Sequence, residues 1–576
     1  MRWLLATLLI SVIPAVAADR FEGALGDLKV SAGRGFYFAP LDVTVFAPAG
    51  ARLAITFDGS EPIFTGASAP DSNLTIHVTN TTVLRARAFR DNWRPSEICT
   101  HTYLFPAAVM NQKAPAGAAD FWQDSKDRVP SDWAMDSRAI SGPQELTNAL
   151  LSLPSISIVT VTSGLFGPTN GIYVHSLAQG PEQVRHASVE LLYPGGRNGF
   201  QRDAGLRIRG GASRFPAFSP KHGFGLIFRK EFGPGELEFP VFPTSSRHKF
   251  SRLVLRPNVN DSWVTTEWPQ QRINGQQRWL RAEATYLRDQ WVRDTQRAMG
   301  EPSAHGIFTH VYLNGLYWGI YNLTERPDDD FTAAYCGGRE GEYDVVSDGR
   351  DLHAGNWTAW QQLLRADGLS DRTRYQRLLG NDPNGARNPQ LPVQLDVTNL
   401  VDYMILHIFI GADDWPDHNW WVARRRGADS TGFKFFAWDQ EISINSLIKQ
   451  HTAWVPLRGG TPLYAEERWS NTPAEIYSHC RANADFRKLF AERVQKHLFE
   501  NGALSVSNNV RRWKFLATQI EPALTAESAR WGDAFRPEKP YGRDDWLKIN
   551  EWECNTFFPS NHFIALKRFR DAKLAE

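Results

Sequence analysis

The sequence predicts an α+β chain: a small all-β sandwich, followed by a larger mixed body with an antiparallel sheet and a helical C-terminal part. Three observations carry this expectation. Residues 28–105 alternate apolar and polar side chains and break at Gly and Pro at roughly the 8–12-residue spacing of sandwich strands. The stretch THVYLNGLYWGIYNLTE holds two alternating runs around Asn314-Gly315, the strongest short-range hairpin signal. From 484 onward the apolar period becomes helical, with Phe486, Leu489, Phe490, Val494 and Leu498 on one face.

The elements follow in chain order. Residues 1–17, MRWLLATLLISVIPAVA, place Arg2 before a short apolar core and Ala15-Val16-Ala17 at its end. That is the pattern of a cleaved secretory signal, with the mature chain starting near Ala18. The expectation is a secreted, periplasmic or envelope protein without a transmembrane anchor. Residues 106–144 are poor in periodicity, and NQKAPAGAAD reads as a linker. The body proper is expected over 145–480 and a helical extension over 481–576. In the body, PSISIVTV is a continuous apolar strand, whereas AGLRIRG, HGFGLIFRK and SRLVLRP alternate. YLRDQWVRDTQRAMG and NLVDYMILHIFIG read as helices, each stopped by a glycine.

Bulk properties exclude little. The 576 residues are 42% hydrophobic, ample for a core, and the net charge of +1 gives no sign of a nucleic-acid partner. The 21 tryptophans suit aromatic cores and sugar-stacking surfaces alike. Cys99, Cys336, Cys480 and Cys554 are too widely spaced for a CxxC motif, and free thiols and paired ones both remain open.

The chemistry concentrates in GADDWPDHNWWVARRRGADSTGFKFFAWDQE, residues 411–441. Asp414 and Asn419 form D-x4-N, and Asp439 follows after a strand, a turn and a second strand. Protein kinases use this logic: one carboxylate orients the attacking hydroxyl while an amide and a second carboxylate hold metal. Hard oxygen donors suit Mg²⁺, which keeps several of its waters. Asp413 leaves the assignment open by one residue, and the spacing to Asn419 favours Asp414. No GxGxxG, HRD or DFG occurs, and only GGASRF at 210–215 offers glycines to cover phosphates.

Two resemblances add to this reading. ITFDGSEP followed by TVLRARAF resembles the immunoglobulin-like domain at the C-terminus of chitobiases, which implies a spacer or a glycan-binding module. From about 150 to 445, GLRIRGGASRFPAFSPKHGFGLIFRKEFG, YLRDQWVRD, VYLNGLYWGIYNLTERPDDDF and the D-x4-N unit with FKFFAWDQE resemble the CotH kinase family. That resemblance implies an atypical protein-kinase-like body that uses ATP with Mg²⁺ or Mn²⁺ and phosphorylates protein Ser/Thr hydroxyls. It implies Asp414 as the catalytic aspartate and Asn419 and Asp439 as metal ligands. Lys221 would contact ATP phosphates and pair with Glu325, and Arg209 and Arg288 would also reach phosphates. Two alternatives stand beside it: a catalytically silent scaffold of an envelope or coat, and a carbohydrate-active enzyme with Asp414 and Asp439 as an acid/base pair.

Overall fold

The computed structural model describes residues 21–64, 73–265, 281–412, 414–445 and 470–574, and the backbone of 272–273 and 276–277. The leader expected at 1–17 and the alternative aspartate Asp413 lie outside the described residues. The protein is α+β.

The N-terminal region consists of a three-stranded sheet, a four-stranded sheet and a short parallel pair, Gly23–Ala24 with Trp93–Arg94. In strand Leu41–Phe46 the alternation sends Val43 and Val45 inward, where they meet Leu53, Leu84, Ala86 and Tyr103 in one apolar cluster. This region is tied to the body by buried polar contacts. The backbone N–H and the hydroxyl of Thr102 both donate to Glu190, a fully buried carboxylate, and Arg34 lies 3.5 Å from it.

The segment expected as a linker is instead wrapped onto the body. It forms the hairpin Phe121–Asp124 with Asp127–Pro130. Trp122 is fully buried and stacks edge-on against Tyr173 at 5.1 Å, and Trp133 meets Trp318 at 5.6 Å. Its polar, glycine-containing surface suggested a joint, but two tryptophans in core pockets hold it down.

The body opens with a closed seven-stranded barrel. Its strands are β1 (Ser155–Val159), β2 (Arg185–Leu192), β3 (Gln201–Arg209), β4 (Gly223–Ile227), β5 (Arg252–Arg256), β6 (Gly306–Leu313) and β7 (Leu316–Thr324). The spatial order is β1-β2-β3-β4-β5-β7-β6, antiparallel throughout except where β6 pairs in parallel with β1 and shuts the barrel. Asn314 and Gly315 take φ of 48° and 81°, the left-handed turn that the Asn-Gly pair announces. Leu206, Ile208, Phe224, Leu226, Leu253 and Leu255 fill the interior. The residues between them on β3, β4 and β5 therefore face outward.

A second sheet follows, built from β8 (Tyr343–Ser347), β9 (Asp351–Ala354), β10 (Trp420–Arg425) and β11 (Lys434–Ala437) in the order β9-β8-β10-β11. Helix α1 (Arg288–Ala298) and helix α2 (Val397–Ile410) share one large apolar cluster with the C-terminal helices. Asp396 caps α2 by accepting from the Asn399 N–H, and Gly411 closes it at φ 60°. Helix α3 (Leu524–Trp531) returns to pack on β7 and puts Trp531 into the barrel cluster. Among the described residues no helix is long and apolar enough to cross a membrane, and none of the four cysteines forms a disulfide.

Candidate active site

Strand register assembles the site. Ser347 on β8 lies opposite Trp421 on β10, and Trp420 lies opposite Ala437 on β11. The residues just beyond these pairs, Asp348, Asn419 and Asp439, therefore leave the sheet at one end. All three adopt left-handed backbone, with φ of 52°, 65° and 59°. Asn and Asp tolerate that region best, yet three such residues at one sheet end mark a place where position outweighs backbone comfort. Asp414 joins them: its backbone carbonyl and Oδ2 accept from the Asn419 Nδ2 at 2.9 and 3.2 Å. The D-x4-N spacing thus closes a local ring that ties the two side chains together.

The first tier of support comes from β5 and α1. Arg256, at the end of β5, donates to Asp439 and, at 2.7 Å, to Glu441, and its Nε lies 3.3 Å from Asp289 of α1. Asp289 also accepts the Gln440 N–H at 3.0 Å and pairs with Arg293 at 3.2 Å. Glu441 accepts the Asn260 N–H at 2.8 Å. A strand cation paired with a helix carboxylate is the device by which kinases fix the active site. Arg256 and Asp289 have the same arrangement, a strand cation on a helix carboxylate, and sequence reasoning missed both. The signal was present in SRLVLRP, an alternating strand ending in Arg, and in the Asp of YLRDQWVRD.

The electrostatics are strained. Burial raises the Asp439 carboxyl against the pull of Arg256, and the charges of Asp289 and Asp414 push it further up. Burial and then Asp439 push Glu441 up to about 8. Burial lifts Asp348 to about 6, opposed by its hydrogen bond from the Trp420 N–H. Asp289, Asp439 and Glu441 thus share the guanidiniums of Arg256 and Arg293, with Asp348 and Asp414 close by and the His418 imidazole acting on both.

That imbalance bears on metal. Among the described residues no three His, Cys, Asp or Glu side chains are grouped to hold an ion by themselves. Mg²⁺ needs less, since one or two carboxylates suffice when phosphate and water complete its shell. Asp439 keeps 35% of its side chain exposed despite the ion pair. Asn419 uses its Nδ2 on Asp414, and its Oδ1 is a hard oxygen on the same side chain. The residues present fit a hard divalent cation, which would relieve the excess negative charge.

Lys221, Glu325 and Arg288, also expected at the site, are engaged elsewhere. Lys221 does not meet Glu325. It is fully buried, donates to Glu527 of α3 at 2.6 Å and to the Ile320 carbonyl at 2.8 Å, and lies 4.9 Å from the Tyr321 ring. Glu325 is also buried, holding Arg247 at 3.1 Å and accepting from the Tyr335 hydroxyl and the His305 N–H. Arg288 is locked by Asp261 at 2.5 Å and Glu553 at 3.3 Å. Its Nε donates to the Ile444 carbonyl at 2.9 Å, so it steadies the segment just past Asp439 and is no free phosphate ligand. Arg209 lies on the outer face of the barrel, half-buried among other arginines. Lys221 and Glu325 misled because an alternating strand conceals which of its polar residues will be enclosed by later helices.

Residues 245–552 match the CotH kinase protein family. The chain belongs to that family. Among curated proteins none matches it. The matched span of this CotH kinase protein holds Arg256, Asp289, Asp414, Asn419 and Asp439, and excludes Arg209 and Lys221. The first four strands of its barrel precede the match.

Proposed function

We propose that this CotH kinase protein is an exported, metal-dependent phosphotransferase that moves the γ-phosphoryl group of ATP to a protein hydroxyl. The observation that carries the reading is the convergence of Asp414, Asn419 and Asp439 on one sheet end, braced by the Arg256–Asp289 ion pair. Asp439 and the Asn419 Oδ1 would hold Mg²⁺ or Mn²⁺. When bound there, the metal offsets the charge of the nucleotide's phosphates. Asp414, steadied by Asn419, accepts the proton of the acceptor hydroxyl and orients its oxygen. The N-terminal sheets serve as a spacer or a glycan-binding module. Support for the latter is a groove of about 790 Å³ at their junction with the body, lined by Tyr37, Phe38, His101, Tyr193 and Phe200.

The test is transfer of labelled phosphate from ATP with Mg²⁺ or Mn²⁺. Asp414→Asn should lower turnover roughly 10²-fold or more while nucleotide binding persists, the scale of lost general-base catalysis. Asp439→Asn should weaken metal-dependent nucleotide binding as well as turnover. A wild-type protein that binds no nucleotide and transfers no phosphate would make it a silent kinase-like scaffold.

A further inference from the structure

The outward face of β3, β4 and β5 carries an unusual surface beside the site. Because Leu206, Ile208, Phe224, Leu226, Leu253 and Leu255 point into the barrel, Arg207, Arg209, Gly223, Gly225, Arg252 and Arg256 point out. The two glycines leave the middle strand bare. A Cβ on Gly225 would lie 3.0 Å from the Cγ of Arg209 and 3.4 Å from that of Arg207, so both arginine stems lie along this floor. Arg326, just past β7, comes in from the side. Its Nη2 bonds His353 Nδ1 at 3.1 Å, and its guanidinium lies 4.8 Å from the Trp421 ring.

Four guanidiniums thus gather, with Asp328, Asp329 and Glu340 the carboxylates that act on Arg252 or Arg326. Among the described residues Asp328 is the one carboxylate ion-paired with them, 3.0 Å from Arg252 and 4.0 Å from Arg326. The Nε atoms of Arg207 and Arg326 are buried without a hydrogen-bond partner, and Arg326 is only 8% exposed. Such groups are costly unless a ligand completes them. Burial first, and then the charges of Arg326, Arg209, Arg252 and Arg207, drive His353 down to about 3.

The cluster adjoins the carboxylate site. His353 stacks on Trp421 at 4.1 Å and its Nε2 meets Ser347 Oγ at 2.8 Å, one residue from Asp348. Trp421 meets Trp438 at 6.2 Å, and Trp438 underlies Arg256 at 4.9 Å. Arg209 and Arg256 stand two strands apart, about 10 Å at ordinary strand spacing. These contacts run from a cationic end across a tryptophan pair to a carboxylate end.

Resting on the phosphotransferase reading, we propose that Arg207, Arg209, Arg252 and Arg326 form the binding site for the phosphate chain of the nucleoside triphosphate, while Asp439 and Asn419 take its metal-bound end. Arginine forks match phosphate oxygens bidentately, which a lysine cannot do. The Gly225 floor gives the Arg207 and Arg209 stems room to lie against the sheet. This assigns to β3 and β5 the task that kinases give to a glycine-rich loop and a strand lysine.

The experiment is calorimetric binding of AMP-PNP with Mg²⁺, inorganic tripolyphosphate without metal, and adenosine to the full chain and to Arg207→Gln, Arg209→Gln and Arg209→Lys. Circular dichroism and thermal midpoints confirm that each variant is folded. Either Gln variant should weaken tripolyphosphate and AMP-PNP by roughly 10- to 100-fold, the loss expected for hydrogen bonds to charged groups. Adenosine binding should be unchanged, and Arg209→Lys should recover part of the loss. Wild-type affinity for AMP-PNP and tripolyphosphate in both Gln variants overturns the anion site and leaves the phosphotransferase reading standing. Tripolyphosphate binding that depends on Arg209 in a chain that binds no nucleotide keeps the anion site and overturns the phosphotransferase reading. A folded wild-type chain that binds neither overturns the anion site.

Discussion

Replacing Lys221 by Met separates structural charge from catalytic charge. The Lys221 and Glu527 side chains are both fully enclosed, 2.6 Å apart, and Lys221 also donates to the Ile320 carbonyl. Glu527 in turn accepts the Ile320 N–H at 2.6 Å, so the pair clamps α3 onto β7. Burial lowers the Lys221 ammonium from its usual range and Glu527 works against that shift, so the charged form depends on its partner. Removing one member of a buried pair strands the other and costs about 3–5 kcal/mol. At about 2–4 °C per kcal/mol for a domain of moderate size, the thermal midpoint should fall by roughly 6 °C or more. Thermal and urea unfolding, run beside AMP-PNP titration, read the effect. The double variant Lys221→Met/Glu527→Gln should recover part of the loss, because it removes the stranded charge and keeps an acceptor for Ile320. Nucleotide affinity per folded molecule should stay at the wild-type value. A Lys221→Met protein of wild-type stability that no longer binds nucleotide would refute the reasoning and return Lys221 to the phosphates.

Other outcomes follow from the same packing. Burial lowers His310 from its ordinary value to about 4, so the unfolded chain takes up a proton below about 6.5 that the folded chain refuses. This group's stability contribution is therefore present above about 6.5 and lost as pH falls toward 4. His310→Gln should flatten the acid limb of a stability-against-pH curve by about 1.4 kcal/mol per pH unit. An unchanged slope would count against a neutral buried imidazole. Limited proteolysis should spare residues 106–144, because Trp122 and Trp133 anchor them, and early cleavage there would show that the strap is loose. Gly319→Ala should destabilise the body, since the φ of 109° disfavours a side chain and its Cβ would meet Glu527 Oε2 at 2.6 Å. A wild-type midpoint for that variant would contradict the tight approach of α3.

Much of this was legible in the chain, and the misses have a common cause. Alternation and the Asn314-Gly315 turn announced the β6–β7 hairpin, because period and turn chemistry are local. D-x4-N announced the Asp414–Asn419 pair for the same reason, as five residues suffice to close their hydrogen bond. Asp439 was legible through the hairpin that returns it to the same sheet end. Lys221 and Arg256 show the limit: both stand on or beside alternating strands, and nothing nearby tells which meets a carboxylate of the site and which meets a helix far along the chain. Barrel closure by β1 and β6 was equally hidden, since parallel pairing leaves no local turn. The segment 106–144 was misjudged because sparse tryptophans carry packing that a composition count cannot see.

The Lys221–Glu527 clamp has a consequence for synthesis. Its partners are 306 positions apart. When the ribosome has released all seven barrel strands, the carboxylate that neutralises the barrel's enclosed ammonium is still unmade, and so is Trp531. A nascent chain of that length holds a closed sheet around an unpaired charge, and domains that need late residues remain exposed to wrong partners until those residues emerge. The barrel's charge is neutralised only once α3 has been made, so premature termination anywhere before α3 should yield chains that chaperones retain and proteases clear.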